Sequence, residues 1–455
     1  MFVTAQGGVA AAEAALIKGI VNGETYLNIH TTTNPGGEIR GFLVASPTPA
    51  QLSLLTTIPI NGTAASPSTK LYSFDISWVD QATGLFYLAD RSNKALDVID
   101  TKTDTLFGQA GGAAFGFAGD SGNSGTSGPN GVTAALGCIF ATDFPSRVVS
   151  INSSVSFVAP VSSVSTGGNR RADELAFDPK DGLLLVINNA EVAPSSPFGT
   201  LISVSSNCGL TVGTKIPFST INATNGAEQP VWDPGTQRFY VSIPEINGPG
   251  DGTGPNGGVA RITTSGVIET VYPVNFMQPA GLTLGPNGDL LVGANSVFDT
   301  SGVKCSAVVP APNPTGTPAA HPATCTGIAF PQSAICNPGR GCTGNALVSV
   351  PGVGGGDEVW FNFGDGNYYV TGGNEPGGPV FGVVASGADT LSQVVGTLYA
   401  QLQQGVAGTA SFVHSAGTVH SIAASAANNH VYVALPANTA YPNCSQGCIA
   451  VFGVP

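Results

Sequence analysis

Four carboxylates, one amide and one imidazole stand at matching places in a chain that is poor in charge. They are Asp75, Asn130, Asp173, Glu228, Glu358 and His420, and a seventh matching place holds Ala280. Carboxylates brought this close cannot all stay ionised without help. Either a cation neutralises them or some carry raised pKa values. Oxygen donors of this kind suit a divalent cation, Ca²⁺ first, and with His420 also Mn²⁺ or Zn²⁺. On that reading Asp75, Asn130, Asp173, Glu228 and Glu358 are candidate metal ligands. A cation held there would polarise a carbonyl, with Glu228 or His420 as the catalytic acid–base group. The alternative stays open: the same residues cap strand starts, bond to backbone and face a water-filled channel.

The places match because the chain repeats. Trp78-Val-Asp-Gln-Ala-Thr-Gly-Leu-Phe-Tyr-Leu-Ala-Asp90 aligns with Ala176 to Asn188, Val231 to Ile243 and Thr283 to Ala294. Each reads as a strand, a tight turn rich in Asp, Pro and Gly, and a second apolar strand. Weaker copies run from Asn130 through Cys138 to Asp143, from Trp360 to Thr371 and from Ile422 to Ala434. A third strand follows most hairpins, as in Ala95 to Ile99, and a fourth follows that, as in Leu210 to Pro217. Four strands at a recurring period of roughly 45 residues is the signature of propeller blades. The expected fold is therefore all-β, a seven-bladed β-propeller. The last repeat reaches the chain end with three strands, and Leu52 to Ile60 reads like the missing fourth. It is expected to pair onto the last blade and close the ring, which removes an exposed sheet edge. Counting eleven back from the Phe86 position in each hairpin gives the residue that enters each first strand and faces the channel mouth. That count yields the column named above.

Composition narrows the setting. Of 455 residues only 9% are charged, the formal net charge is −13, and there are 62 Gly and 33 Pro. With no Lys/Arg cluster to meet phosphates, nucleic acid is excluded as a partner, and so is an anionic membrane surface. No apolar stretch is long enough to span a bilayer. No signal peptide is evident at Met1, so the chain is expected to begin inside a longer protein. Eight cysteines in Gly/Pro-rich loops point to disulfides and an oxidising compartment, hence to a secreted, extracellular or cell-surface location. The expected pairs are Cys336–Cys342, Cys444–Cys448, Cys305–Cys325 and Cys138–Cys208. The rival reading is zinc at the four cysteines between 305 and 342, although no C-x₂-C pair is present. The sequons at Asn61, Asn152, Asn222 and Asn443 matter only in a eukaryotic secretory host.

Loops are long on the side expected to carry the channel mouth: 108–129, 244–258, 296–345 and 437–447. On the other side the turns are tight. Functional loops gather on one face of a rigid scaffold. The partner expected there is a small molecule, a glycan or an extracellular protein, met by a monomer.

Three resemblances bear on this. Asn22-Gly-Glu-Thr-Tyr-Leu-Asn-Ile-His-Thr-Thr-Thr-Asn-Pro-Gly-Gly-Glu-Ile-Arg-Gly41 resembles the C-terminal end of a CHRD (chordin-type) domain. That implies a partial β segment over 1–45, a linker over 46–50 and the propeller over 51–455, with His30 and Arg40 as structural positions. Glu228-Gln-Pro-Val-Trp-Asp233 and Gly128-Pro-Asn-Gly131 resemble blade motifs of the gluconolactonase/regucalcin propellers. There a Glu, Asn residues and an Asp hold a divalent cation that polarises a lactone carbonyl. Residue by residue, Glu228 and Asn130 carry over, and a metal-dependent lactone or ester hydrolase is implied as one possible activity. The second Asn of that family has no match, and seven repeats stand where it has six. The chain as a whole resembles secreted NHL-like and YVTN-like propellers, which leaves a binding role or a purely structural one as the other functions.

Overall fold

The computed structural model describes residues 2–9, 11–12, 15, 26–29, 39–42, 52–62, 70–153, 157–189, 191, 196–305, 332–338, 348–351, 356–372, 380–385, 394–398, 421–439 and 441–454. The chain divides into two compact units, Met1–Gln51 and Leu52–Pro455. The first holds a one-turn helix, Phe2–Ala5, and an antiparallel strand pair, Tyr26–Ile29 with Ile39–Phe42. Arg40 lies opposite Asn28 in that pair. His30 lies outside the described residues.

The second unit is a β-propeller. Its antiparallel sheets follow one another along the chain, each with four strands in sequence order. The Ser77 sheet comprises Ser77–Asp80, Leu85–Asp90, Ala95–Asp100 and Thr105–Gly111. The Val132 sheet comprises Val132–Ala135, Cys138–Asp143, Arg147–Asn152 and Ser162–Ser165. The Leu175 sheet comprises Leu175–Asp178, Leu183–Asn188, Phe198–Val204 and Leu210–Pro217. An eight-stranded sheet follows. Its first half is Pro230–Asp233, Arg238–Ile243, Asn256–Ile262 and Ile268–Asn275. Its second half is Met277–Leu284, Leu290–Val297, Gln332–Cys336 and Val348–Pro351. The halves join through one parallel pair, Asn256 with Met277. The Val359 sheet comprises Val359–Asn362, Asn367–Gly372, Val380–Ala385 and Val394–Leu398.

The final sheet closes the ring as the sequence predicts. Ile422–Ala424, Val431–Leu435 and Cys448–Gly453 take Ser53–Pro59 as their outer strand, with Ser53 opposite Gly453 and Pro59 opposite Cys448. Among the described residues, no helix is long and apolar enough to cross a membrane.

The repeated turn residues explain the repeated hairpins. A short Asp or Asn side chain can bond backbone two residues on and so fix a turn. Asp80 accepts from the Ala82 N–H (3.0 Å) and the Thr83 hydroxyl (2.8 Å). Asp233 accepts from the Gly235 N–H (2.8 Å) and the Thr236 hydroxyl (2.7 Å). Asp178 and Asn362 accept from the N–H of Lys180 and Gly364. The second strands, such as Phe86-Tyr-Leu-Ala89, are buried on both faces, because each sheet packs between two others. Large aromatics fill the space between sheets. Trp78 meets Trp360 edge-on with ring centroids 4.9 Å apart, and Phe86 lies 5.4 Å from Tyr432.

First strands pack first strand to first strand around the axis, in the order Ser77, Val132, Leu175, Pro230, Met277, Val359, Ile422 and back to Ser77. The approach is close enough to demand glycine at Gly131. A Cβ there would sit 2.2 Å from the Asp173 carbonyl oxygen.

The Cys138–Cys208 disulfide ties the Val132 sheet to the Leu175 sheet across 70 residues of chain, and Cys444–Cys448 staples the loop that leads into Cys448–Gly453. Cys305 and Cys336 are also disulfide-bonded, which removes the zinc reading for them. Cys325 and Cys342 lie outside the described residues.

Candidate site at the inner strand starts

The strand registers fix which residue enters each first strand. Ser77 pairs with Leu88, Val132 with Ala141, Leu175 with Val186, Pro230 with Val241, Val359 with Val370 and Ile422 with Val433. Two residues before these positions stand Asp75, Asn130, Asp173, Glu228, Asp357 and His420. The first four share one backbone hydrogen bond, from their own N–H to the second strand: Asp75 to Ala89, Asn130 to Thr142, Asp173 to Ile187 and Glu228 to Ser242. The structure thus brings together Asp75, Asn130, Asp173 and Glu228.

It does not place Glu358 with them. The Val359 register moves the column to Asp357, one residue earlier than the sequence count. Glu358 is fully buried and serves another purpose. It accepts hydrogen bonds from the Ser77 N–H (3.1 Å), the Ser77 hydroxyl (3.1 Å) and the Ile422 N–H (2.8 Å). One carboxyl therefore knots the first strands of three sheets. Burial pushes its pKa well above the usual carboxylate range, against the pull of those hydrogen bonds. His420 lies outside the described residues, and Ala280 is buried and brings no polar side-chain atom.

A second column, unread in the sequence, supplies the donors. In the Ser77 and Leu175 sheets it is the residue directly after the second strand; in the Val132 sheet that place holds Phe144, which brings no donor side chain. Arg91 follows Leu85–Asp90, and Asn189 follows Leu183–Asn188. Each reaches the carboxylate of its own sheet and the column residue of the next. Arg91 pairs with Asp75 and donates from Nε to Asn130 Oδ1 (2.9 Å). Asn189 donates through Nδ2 to Asp173 Oδ2 (2.9 Å) and Glu228 Oε2 (2.7 Å). Arg171, from the turn before Asp173, crosses between sheets with one nitrogen 2.7 Å from Asp173 and another 3.4 Å from Asp75.

After the next second strand, Arg238–Ile243, the same place holds Pro244, which has no N–H and no polar side chain. The donors are interrupted there and resume in the Met277 sheet, where Asn295 stands at the matching register place and donates through Nδ2 to Asp357 Oδ1 (3.5 Å). Glu228 then keeps a single described donor, Asn189.

The electrostatics follow this layout. Burial works against the Arg171 charge, but Asp173 and then Asp75, Glu228 and Asp357 raise its pKa and hold it cationic. Burial lowers Arg91, with Asp75 opposing. Asp173 rises to about 6 through burial, with Arg171 pulling the other way. Glu228 is pushed well above the usual range by burial and then by Asp357 and Asp173. Glu174, next to Asp173 in the chain, is pushed up by burial and then by Asp173, Glu228, Asp357 and Asp75. Its side chain is 4% exposed, and Oε2 has no hydrogen-bond partner among the described residues.

As arranged, these residues do not offer a divalent cation the ligand set expected from the sequence. Asp75 is spent on two guanidinium groups. Both polar atoms of Asn130 are engaged, Oδ1 by Arg91 and Nδ2 with the Ala172 carbonyl (2.9 Å). Glu358 is turned to backbone. Among the described residues no three His, Cys, Asp or Glu side chains group as a metal set.

The long connections lie at this end. Antiparallel order puts the links between second and third strands, and those between sheets, beside the first-strand starts. The 112–131 connection rests on the site through Asp120 N–H to the Arg91 carbonyl (3.0 Å) and Arg171 N–H to the Gly125 carbonyl (3.1 Å). The 244–255 connection folds around buried Glu245, which accepts from the Thr224 hydroxyl (2.6 Å) and the Gly254 N–H (2.8 Å).

Comparison with known proteins gives the same fold and little more. The CHRD domain family model matches residues 2–43, within the first unit. No curated protein matches the chain. Among solved structures, Kuenenia stuttgartiensis hydrazine synthase is similar with a TM-score of 0.53 at 11% identity, over 86% of this chain and 98% of that one. The WD40 domain of Neurospora crassa Pan2 is similar with a TM-score of 0.53 at 11% identity, over 89% of this chain and 95% of that one. The WD40 β-propeller domain of Doa1 gives 0.50 at 9% identity, over 89% and 98%. At such identities the likeness is one of fold.

Proposed function

We propose that the chain is a secreted binding module, a seven-bladed propeller that takes a polar ligand where its first strands begin, on the side of Glu228. The blade count follows from reading the eight-stranded sheet as two blades, since its halves share only the Asn256–Met277 pair. Secretion is supported by the disulfides, which persist in oxidising compartments. The observation that carries the site is that Glu228 keeps Asn189 as its single described donor, with Pro244 at the donor place of its own sheet. Arg91 and Asn189 each satisfy two neighbouring column residues; Pro244 satisfies none. Convergent polar groups on a rigid scaffold, one of them short of donors, are what a small-ligand site requires.

The test is a glycan array and a peptide array probed with the whole chain and with Glu228→Gln and Asn189→Ala. Signals present in the parent and lost in both variants support the reading. Signals that survive both substitutions unchanged remove this ring as the site.

A further inference from the structure

The ring neutralises its own acids in one consistent way. Arg171 spans Asp75 and Asp173, and Arg91 spans Asp75 and Asn130, so a cationic N–H donor is laid across two oxygen acceptors. Pro244 adds no donor beside Glu228, and two carboxyls on this side, Glu228 and Glu174, are left short of donors among the described residues. Glu228 is half-buried, makes no ion pair among the described residues and accepts one hydrogen bond, from the Asn189 amide. Glu174 is 4% exposed, and its Oε2 meets no donor among the described residues. A buried oxygen acceptor left without a donor is a site waiting for one. Its other surroundings are acids: Asp173, Glu228, Asp357 and Asp75 all act on Glu174, with Arg171 and Arg91 already committed to Asp173 and Asp75. Positive charge and N–H groups are therefore what this side of the ring lacks, and a neutral hydroxylated ligand would bring only the second kind of interaction.

We propose that Glu228 and Glu174 receive a compact organic cation, an ammonium or guanidinium group, with Glu228 at the entrance and Glu174 as the buried acceptor. This rests on the reading of the ring as the ligand site and names the ligand class.

The experiment is calorimetric titration of the whole chain with agmatine and, separately, with the peptide acetyl-Gly-Arg-Gly-amide, to tell a free cation from a protruding side chain. Erythritol and calcium chloride serve as the other arms. Agmatine or the peptide should bind, and Glu228→Gln and Glu174→Gln should each weaken it by roughly tenfold or more, the scale of a lost charge-assisted hydrogen bond. Both substitutions keep side-chain shape, and circular dichroism with melting curves confirms the fold. If Glu174→Gln fails to fold, Glu228→Gln at the half-buried entrance decides. Affinity unchanged in the folded variants overturns the proposal. So does binding of calcium with no binding of either organic cation. Erythritol binding that is lost in Asn189→Ala, with no organic cation bound, overturns the cation and leaves the ring reading standing. No ring-sensitive binding by any of these probes overturns the cation, and the arrays then decide the ring reading separately.

Discussion

Two carboxylates two blades apart, Asp75 and Glu358, are buried by opposite means. Asp75 keeps its charge company with two arginines, Arg91 and Arg171. Glu358 sits instead in a ring of backbone and hydroxyl donors from Ser77 and Ile422. The first arrangement costs desolvation of three charged groups and holds only while all are present. The second is a structural knot whose acid is driven toward its neutral form by burial. Acidic side chains at a propeller axis are therefore not one class: some belong to an electrostatic network with arginines, others are fasteners between strands.

Breaking the first arrangement should give the largest effect. Arg91→Met strips Asp75 of a fully buried partner and leaves Asn130 Oδ1 without its donor. Removing one member of a buried pair costs about 3–5 kcal/mol. Urea unfolding should show a loss of that order, and a loss below about 1 kcal/mol would mean the pair is not holding the charge. Breaking the knot should cost less. Glu358→Ala leaves the N–H groups of Ser77 and Ile422 without this acceptor, at about 1–3 kcal/mol for an unsatisfied buried group. Glu358→Gln retains an acceptor oxygen and should recover more than half of that loss in the same assay.

The contrast also explains how much could be read from sequence. The blades were legible because Asp80, Asp178, Asp233 and Asn362 fix their turns through local bonds, and local chemistry leaves a local signature. The closing strand was legible because Leu52 to Ile60 resembles other fourth strands. Among the described residues the column itself was legible except at Glu358. There Tyr368 and Tyr369 both satisfy an aromatic register, and alignment on Gly366 with Gly84 would have moved the count to Asp357. The donors were not read. Arg91 and Asn189 meet Asp75 and Asp173 across the hairpin of their own sheet, and Arg171 meets Asp75 only through inter-sheet geometry. The usable hint was that Arg91 and Asn189 follow second strands at equivalent places, in a chain with 15 basic residues. The guanidinium partners of Asp75 went unread for the same reason, since a sequence shows acids converging before it shows what already neutralises them.

Acidity tests the same division. Asp90 is fully buried, and burial raises it to about 6 from 3.8 despite bonds from Ser92 and Asn93. Asp97 rises well above its ordinary value through burial and then Asp90, and Asp173 rises to about 6. A folded pKa above the unfolded one means that the folded chain holds the proton more tightly. That stability is complete below about pH 4 and is lost as pH rises through about 6. Melting temperature should therefore fall by several degrees between pH 4.5 and pH 7.5, and Asp90→Asn should flatten the fall. A melting temperature that climbs over this range would contradict it.

The smallest effect separates the two sides of the ring. Asp173→Asn takes from Arg171 its closest carboxylate and should destabilise, whereas Glu228→Gln disturbs no ion pair among the described residues and keeps an oxygen for Asn189. Burial, Asp357 and Asp173 all oppose ionisation of Glu228, so the parent loses stability as pH rises through its raised pKa and the Gln variant does not. At pH 5 the two should unfold within about 0.5 kcal/mol of each other, the usual range for a substitution outside a packed or paired site. Toward pH 8 the variant should become the more stable one. The gap should narrow again when a compact organic cation is present, because only the parent keeps the carboxylate that recognises it. A variant less stable than the parent at every pH would show that Glu228 already has a cationic partner.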